Sequence, residues 1–273
     1  MSEGFVNVNG ARLWYEETGV SGGQAVTFVH AGICDHRQWD SQMEDFGKRY
    51  RVIRFDMRGF GQSDLPAGPA SLSDDIRGLL DALGVQRTAV IGCSMGGSAS
   101  IDFTLTHPDR VAALVTVGAG VSGAQPEIGP GEGEVIAEIE AADAAGDAER
   151  LNAAELRLWV DGPRRTPEQV DPDVRKLMAE MNGNNIRRAS EWERVQPKPL
   201  DPPAIGRLGE IHAPTLVIVG SDDTYNVRQN ADRLASGIPG VRKEVMDGLT
   251  HVPNMERPHD FNKLVLDFLE SVW

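Results

Sequence analysis

The sequence predicts an α/β fold built on a mostly parallel, doubly wound sheet. Short runs of Val, Ile, Leu and Phe recur along the chain, apolar throughout rather than alternating, as strands buried on both faces require. Stretches with apolar residues at helical spacing separate them. Glycine or aspartate bounds many of the runs, where a chain must turn. Strand and helix in alternation is the pattern of a parallel sheet covered on both faces.

In chain order, "FVNVNGARLWYEE" reads as two strands joined at Asn9-Gly10, a dipeptide suited to a tight hairpin turn. "AVTFVH" (25–30) and "RVIRFD" (51–56) follow as buried strands. Residues 71–83 place Leu72, Ile76, Leu79, Leu80 and Leu83 on one helical face behind Ser71, an N-cap candidate. "TAVIG" (88–92), "VAALVTVG" (111–118), "TLVIVG" (215–220) and "RKEVM" (242–246) continue the strands. The alternation breaks over residues 122–205, which are helical in pattern with no convincing strand and close on the Pro-rich "QPKPLDPP". The expected organisation is a core of residues 1–121 and 206–273 with residues 122–205 inserted as a helical cap over the carboxyl ends of the strands, where open α/β sheets bind ligands.

Composition narrows the function. Hydrophobic residues at 40% and charged residues at 25% are ordinary for a globular protein. No apolar run approaches the roughly 20 residues of a membrane helix, and "MSEGFVNVNG" lacks the basic start and apolar core of a signal peptide. A cytoplasmic protein is the expectation. A formal charge of −14 opposes binding to nucleic acid or an anionic membrane. Cys34 and Cys93 are too few for a disulfide framework and not spaced as metal ligands, so both are read as reduced thiols. Neither a metal nor an organic cofactor is expected.

The chemistry starts at "AVIGCSMGGSAS" (89–100). Ordering so many glycines at a strand end is entropically unfavourable, so something besides stability keeps them there. "GCSMG" (92–96) fits G-x-S-x-G, and it lies between a buried strand and a helix, the context that motif demands. Ser94 would project from a turn so tight that Gly92 and Gly96 must lack bulk. A serine hydroxyl needs a base to take its proton. Of the six histidines, His107 and His212 precede strands, at the wrong end of the sheet. His259 starts the last helix, on a face expected to be solvated, and His30 and His36 fall at or after an early strand. His251, in "GLTHVPNME", follows the last strand and is the candidate base. An acid between Ser and His in chain order should orient it, and Asp223, with Asp222 as runner-up, follows "TLVIVG". The alternative role for this acidic pair is capping the next helix.

On these residues the chain resembles the α/β-hydrolase fold family over nearly its whole length, in the branch with a serine nucleophile. "HAGICDHRQW" (30–39) is similar to that family's oxyanion loop, with Ala31 where glycine is usual and Ile33 where proline is usual. The resemblance implies an oxyanion hole from the backbone N–H groups of Gly32 and Met95, with Ile33 as a substitute for Gly32. "DMRGFGQSD" (56–64) matches a family loop and reads as structural. Serine in place of the aspartate of epoxide- and halide-cleaving relatives implies ester, lactone or similar acyl chemistry. The expected function is therefore hydrolysis of a small ester or lactone through an acyl-enzyme on Ser94. Carbon–carbon bond hydrolysis, perhydrolase or lyase chemistry, and a non-catalytic receptor are the alternatives.

Ile33, Trp39, Met95, Trp159, Trp192 and Val252 are expected around an apolar pocket, although core packing explains an aromatic residue as readily. "LRLWVDGP" (156–163) and the tail from Gly248 are similar to the 3-oxoadipate enol-lactonase branch. A dianion of that kind calls for a cap cation, for which Arg157, Arg164, Arg165, Arg187 and Arg188 are candidates. Glu256 reads as exposed or helix-capping, and Cys93 as a small buried hydrophobe. An exposed apolar face on the cap would support a homodimer.

Overall fold

The computed structural model describes residues 2–273. Strands β1 (Ser2–Val8) and β2 (Ala11–Gly19) form the hairpin expected at Asn9-Gly10. Both turn residues take positive φ, 47° and 80°, which Asn and Gly tolerate best. Next come β3 (Ala25–Val29), α1 (Asp40–Gly47), β4 (Arg51–Phe55), β5 (Gly68–Ala70), α2 (Leu72–Ala82), β6 (Thr88–Cys93), α3 (Met95–Thr106) and β7 (Val111–Val117). Beyond β7 lie α4 (Gly133–Ala144), α5 (Ala148–Leu156), α6 (Pro172–Arg187) and β8 (Val195–Pro197). The chain then returns through β9 (Thr215–Gly220), α7 (Tyr225–Gly237), β10 (Arg242–Met246), the short α8 (Pro253–Glu256) and α9 (Pro258–Val272).

Eight strands form one sheet in the order β1-β2-β4-β3-β6-β7-β9-β10. The β1–β2 and β2–β4 pairs are antiparallel, and each pair from β4 to β10 is parallel. From β3 the chain adds β4 on one side and later β6 on the other. Connections therefore diverge between β3 and β6 and open a crevice at their carboxyl ends.

Both faces are dry. Val29, Ile53, Val90 and Leu114 pack with Ile76, Leu79, Ile101 and Phe103 of α2 and α3 on one side. Phe28, Val52, Ile91 and Val115 pack with Phe46, Phe261, Val265 and Leu269 of α1 and α9 on the other. Ser71 caps α2 as expected, its hydroxyl accepting the Asp74 N–H at 3.2 Å.

One expectation fails in the segment after β7, which is not strand-free. β8 pairs in parallel with β5, Val195 opposite Gly68, as a separate two-stranded sheet. No helix among the described residues is long and apolar enough to cross a membrane.

Candidate active site

Ser94 closes β6 and opens α3 with φ 52° and ψ −115°, one of two non-glycine residues at positive φ among those described. Such backbone strain is held only where packing over-determines it, and the glycines show how. A Cβ on Gly96 would lie 2.4 Å from the carbonyl oxygens of Val29 and His30, and one on Gly92 2.3 Å from the Gly96 oxygen. Helix α3 thus approaches the ends of β3 and β6 more closely than any side chain allows.

His251 and Asp223 meet at the same end of the sheet. The His251 Nδ1 is 2.9 Å from Asp223 Oδ2 and 3.2 Å from Oδ1, in a pair that is 2% and 1% exposed. A carboxylate only accepts, so Nδ1 carries a proton and donates it to Asp223. Asp223 Oδ1 also accepts the Thr224 N–H at 2.7 Å at the start of α7. The runner-up, Asp222, instead pairs with Arg164 at 2.8 Å. Ser94 is tied to the pair through its neighbours. Its N–H donates to the Val117 carbonyl at 2.8 Å, and a Cβ on the next residue, Gly118, would lie 3.1 Å from His251 Nδ1 and 3.3 Å from Asp223 Oδ2. Cys93 Sγ lies 3.5 Å from the His251 carbonyl oxygen, and burial pushes its thiol up to about 12, consistent with an inert buried hydrophobe.

Gly32 faces this group from the loop after β3, where a Cβ would lie 2.9 Å from the Met95 methyl. The Cys34 N–H donates to the Ala31 carbonyl at 3.0 Å, a turn that leaves the Gly32 and Ile33 N–H groups free of it. Met95 is the first residue of α3, so its N–H has no partner within the helix. His30 fixes the loop. Burial holds its pKa down, its Nδ1–H donates to the Ala31 carbonyl at 2.8 Å, and its Nε2 accepts the Met57 N–H at 3.0 Å.

A chain of buried amides, not anticipated from the sequence, extends from this loop. The Ala31 N–H donates to Gln38 Oε1 at 2.8 Å. Asn254 Nδ2 donates to the Gln38 carbonyl at 2.8 Å and to Gln42 Oε1 at 3.1 Å, and Gln42 Nε2 donates to Asn262 Oδ1 at 2.9 Å. The loop behind β3 is thereby joined to the loop that carries His251. No local pattern marks these partners, which lie more than 200 residues apart in the chain.

A cavity of about 590 Å³ opens beside Gly32 and Met95, lined by Ile33 and Phe60 on the sheet side and by Leu151, Ile186 and Trp192 from the segment after β7. Trp192 packs on Phe60 with ring centroids 5.7 Å apart. Trp159 sits against His251 at 4.7 Å, on a π-helical turn over Arg157–Asp161 whose Trp159 carbonyl accepts the His251 N–H at 3.4 Å. Two expected pocket residues belong to the core instead. Trp39 is fully buried and stacked 4.6 Å from Phe28, and Val252 is buried with the α9 side of the sheet. The 3-10 turn over His36–Trp39 carries the Trp39 ring under the sheet, away from the crevice.

Glu256, expected to be exposed or to cap a helix, is 6% exposed in its side chain and pairs with Arg165 at 2.7 Å. Three of the other arginine candidates are also engaged: Arg164 with Asp222, Arg187 with Asn184, and Arg188 with the Gly61 and Ser63 carbonyls at 3.3 and 3.1 Å. Asp35, His36 and Asp56 bring ligand atoms within 4.8 Å of one another, but these groups already have partners. Asp56 accepts the His36 Nδ1–H and backbone N–H, both at 2.8 Å, and the Gln62 N–H at 2.9 Å, while Asp35 holds Arg37 at 2.7 Å. The 56–64 loop is thus tied down by its own hydrogen bonds.

A parallel sheet with a strained serine at its switch point and a buried His–Asp pair beside it invites comparison with known enzymes. A 2-hydroxy-6-oxononadienedioate/2-hydroxy-6-oxononatrienedioate hydrolase of Pseudomonas putida is 30% identical over 95% of this chain and 92% of its own. A 2-hydroxy-6-oxo-6-phenylhexa-2,4-dienoate hydrolase of Comamonas testosteroni is 29% identical over 95% and 91%. The crystal structure of the enol-lactonase from Burkholderia xenovorans LB400 superposes with a TM-score of 0.78 at 28% identity, over 98% of this chain and all of that one. The family model for the alpha/beta hydrolase fold matches residues 24–258, and the chain is accordingly an enzyme of the alpha/beta hydrolase fold family.

Proposed function

We propose that the protein is a serine hydrolase that cleaves a small ester or lactone through an acyl-enzyme. The observation that carries this reading is the buried His251–Asp223 hydrogen bond, joined through Cys93, Val117 and Gly118 to the strained Ser94. Ser94 Oγ attacks the carbonyl carbon while His251 Nε2 takes its proton. The Gly32 and Met95 N–H groups receive the negative oxygen, a contribution of about 3 kcal/mol each in such sites. As the carbon–oxygen bond breaks, His251 returns the proton to the leaving oxygen. A water molecule, deprotonated by the same nitrogen, then releases the acid and restores Ser94. Asp223 holds the imidazole's orientation and balances its charge while it is protonated. Residues 122–205 act as the cap that closes the cavity over this site and shields it from bulk water.

The first test compares the wild type with a folded Ser94→Ala variant on p-nitrophenyl acetate and butyrate. A nitrophenol burst in the wild type alone supports the acyl-enzyme, and equal slow release from both proteins refutes it. Hydrolysis of a carbon–carbon bond beside a ketone is the second reading, favoured by the similarity to dienoate hydrolases. Turnover of such a dienoate with no burst from either ester would establish that reading instead.

A further inference from the structure

We propose that the cavity admits an ester or lactone whose far end carries no carboxylate, and that Glu155 is the residue that makes this selection. The inference rests on the ester- or lactone-hydrolase reading and names its substrate class: an apolar chain ending in a neutral or cationic group.

The charge lining the cavity carries the argument. Its wall is largely apolar, and its one cationic side chain among the described residues is Arg58. That guanidinium is 1% exposed and held by both oxygens of Asp75, at 2.5 and 2.6 Å. Its charge is balanced where it stands, with Nε and Nη2 both given to Asp75. The cap arginines considered above as anion partners are absent from the wall, and all but Arg157 are engaged elsewhere.

The opposite sign is present in three carboxylates: Glu140 and Asp143 line the cavity from α4 and are exposed, while Glu155 lines it from α5 and is half-buried. The Glu155 Oε2 accepts one bond, from Asn182 Nδ2 at 2.7 Å. Asn182 is itself buried and divides that amino group between Glu155 and Asn152 Oδ1, at 3.0 Å from the latter. Among the described residues no side chain donates to Glu155 Oε1. Burial holds this carboxyl above the usual range, and the nearby Asp143 adds to the effect, as befits a carboxylate with no cation to balance it. A substrate carboxylate here would leave water to face a like charge with no counterion, which raises its free energy more than burying an apolar end would. A 2-hydroxy-6-oxononadienedioate, named for the P. putida relative, has a carboxylate at each end. This cavity offers neither of them a free cation.

The test uses three p-nitrophenyl esters of matched length: the valerate, the adipate monoester with a terminal carboxylate, and the trimethylammonio-valerate. For the wild type, kcat/KM for the carboxylate-ended ester should fall at least about tenfold below that for the valerate, a difference of about 1.4 kcal/mol. The cationic ester should equal or exceed the valerate. Within Glu155→Gln the carboxylate-to-valerate ratio should rise at least threefold, and within Glu155→Asp, which keeps the charge, it should not. Turnover of all three esters at equal kcat/KM, or a ratio unmoved by Glu155→Gln, overturns the proposal and leaves the hydrolase reading standing. Turnover of none of the three defeats the hydrolase reading and the inference with it. Should Glu155→Gln not fold, competitive inhibition of the wild type decides: tighter binding of hexylammonium than of hexanoate supports the proposal, and the reverse order overturns it.

Discussion

Replacing Asn254 with leucine tests whether the buried amide chain holds the two halves of the site together. Leucine is close in volume, so the perturbation is chemical and not a cavity. Asn254 is fully buried and donates to the Gln38 carbonyl at 2.8 Å and to Gln42 Oε1 at 3.1 Å. Both acceptors would lose that donor in a region closed to solvent. The long 3.4 Å contact from Gln38 Nε2 to Asn254 Oδ1 would go as well, with less effect. Each orphaned group costs about 1–3 kcal/mol, and some relaxation of Gln42 toward other partners is expected, so the loss should be about 3 kcal/mol. Urea unfolding followed by circular dichroism reads this as a lower midpoint at unchanged slope. A companion Gln38→Leu variant should lose stability too, and the double variant should lose less than the two singles added, because they share one network. A loss below about 1 kcal/mol for Asn254→Leu, or strict additivity, would refute the reasoning.

Other perturbations bear on neighbouring parts. Gly96→Ala places a methyl 2.4 Å from two backbone oxygens that cannot swing away, so it should destabilise by about 3 kcal/mol, at the upper end for overpacking; thermal unfolding within error of the wild type would count against the close approach. Asp75→Asn leaves the Arg58 charge without its counterion in a 1% exposed site and should cost about 3 kcal/mol, measured in the same urea assay. Neither Cys34 nor Cys93 should react with a disulfide reagent at pH 8 in the native state, since burial raises both thiols, and both should react in guanidinium. Asp102 is held above the usual carboxylate range by burial, against one hydrogen bond from Ser122 at 3.1 Å. The folded form therefore takes up its proton more readily than the unfolded one, and stability is lost as pH rises through that range. Asp102→Asn should then gain stability at pH 7 relative to its effect at pH 3.5, and a gain that is the same at both pH values would contradict the assignment.

What could be read in advance follows from which forces are local. The parallel strands were legible because burial on both faces leaves a continuous apolar run, as in "TLVIVG" of β9, which is buried at every position. The tight turn at Ser94 was legible because the glycines answer a steric demand within a few residues of it. β5 and β8 were not, since "GPA" and "VQP" have no apolar run and each exists as a strand only through the other. Trp39 misled for a different reason. An indole beside the loop after β3 looks the same in sequence whether it turns into the crevice or under the sheet, and stacking on Phe28 decides the matter. Glu256 reads as exposed or helix-capping in sequence because its partner, Arg165, comes from another part of the chain.

That ion pair shows how the loop bearing His251 is held from both sides. Arg165, in the segment after β7, donates to the Gly248 carbonyl at 3.0 Å, to Thr250 Oγ1 at 3.0 Å and to Glu256 at 2.7 Å. Its Nε and Nη2 also donate to the Asp161 and Val160 carbonyls of the π-helical turn, at 3.0 and 2.6 Å. On the opposite flank the clamp is the uncharged Asn254 with its two glutamines. One clamp is a neutral pair and the other carries no charge, so neither adds net charge near the imidazole that Asp223 orients. The His251 N–H itself is held by the Trp159 carbonyl. Movement of the segment after β7 is therefore transmitted to the imidazole through its own backbone. A substitution among residues 157–165 should on this account change the hydrolysis proposed for Ser94, read as kcat/KM on p-nitrophenyl butyrate, even where it leaves the cavity wall untouched.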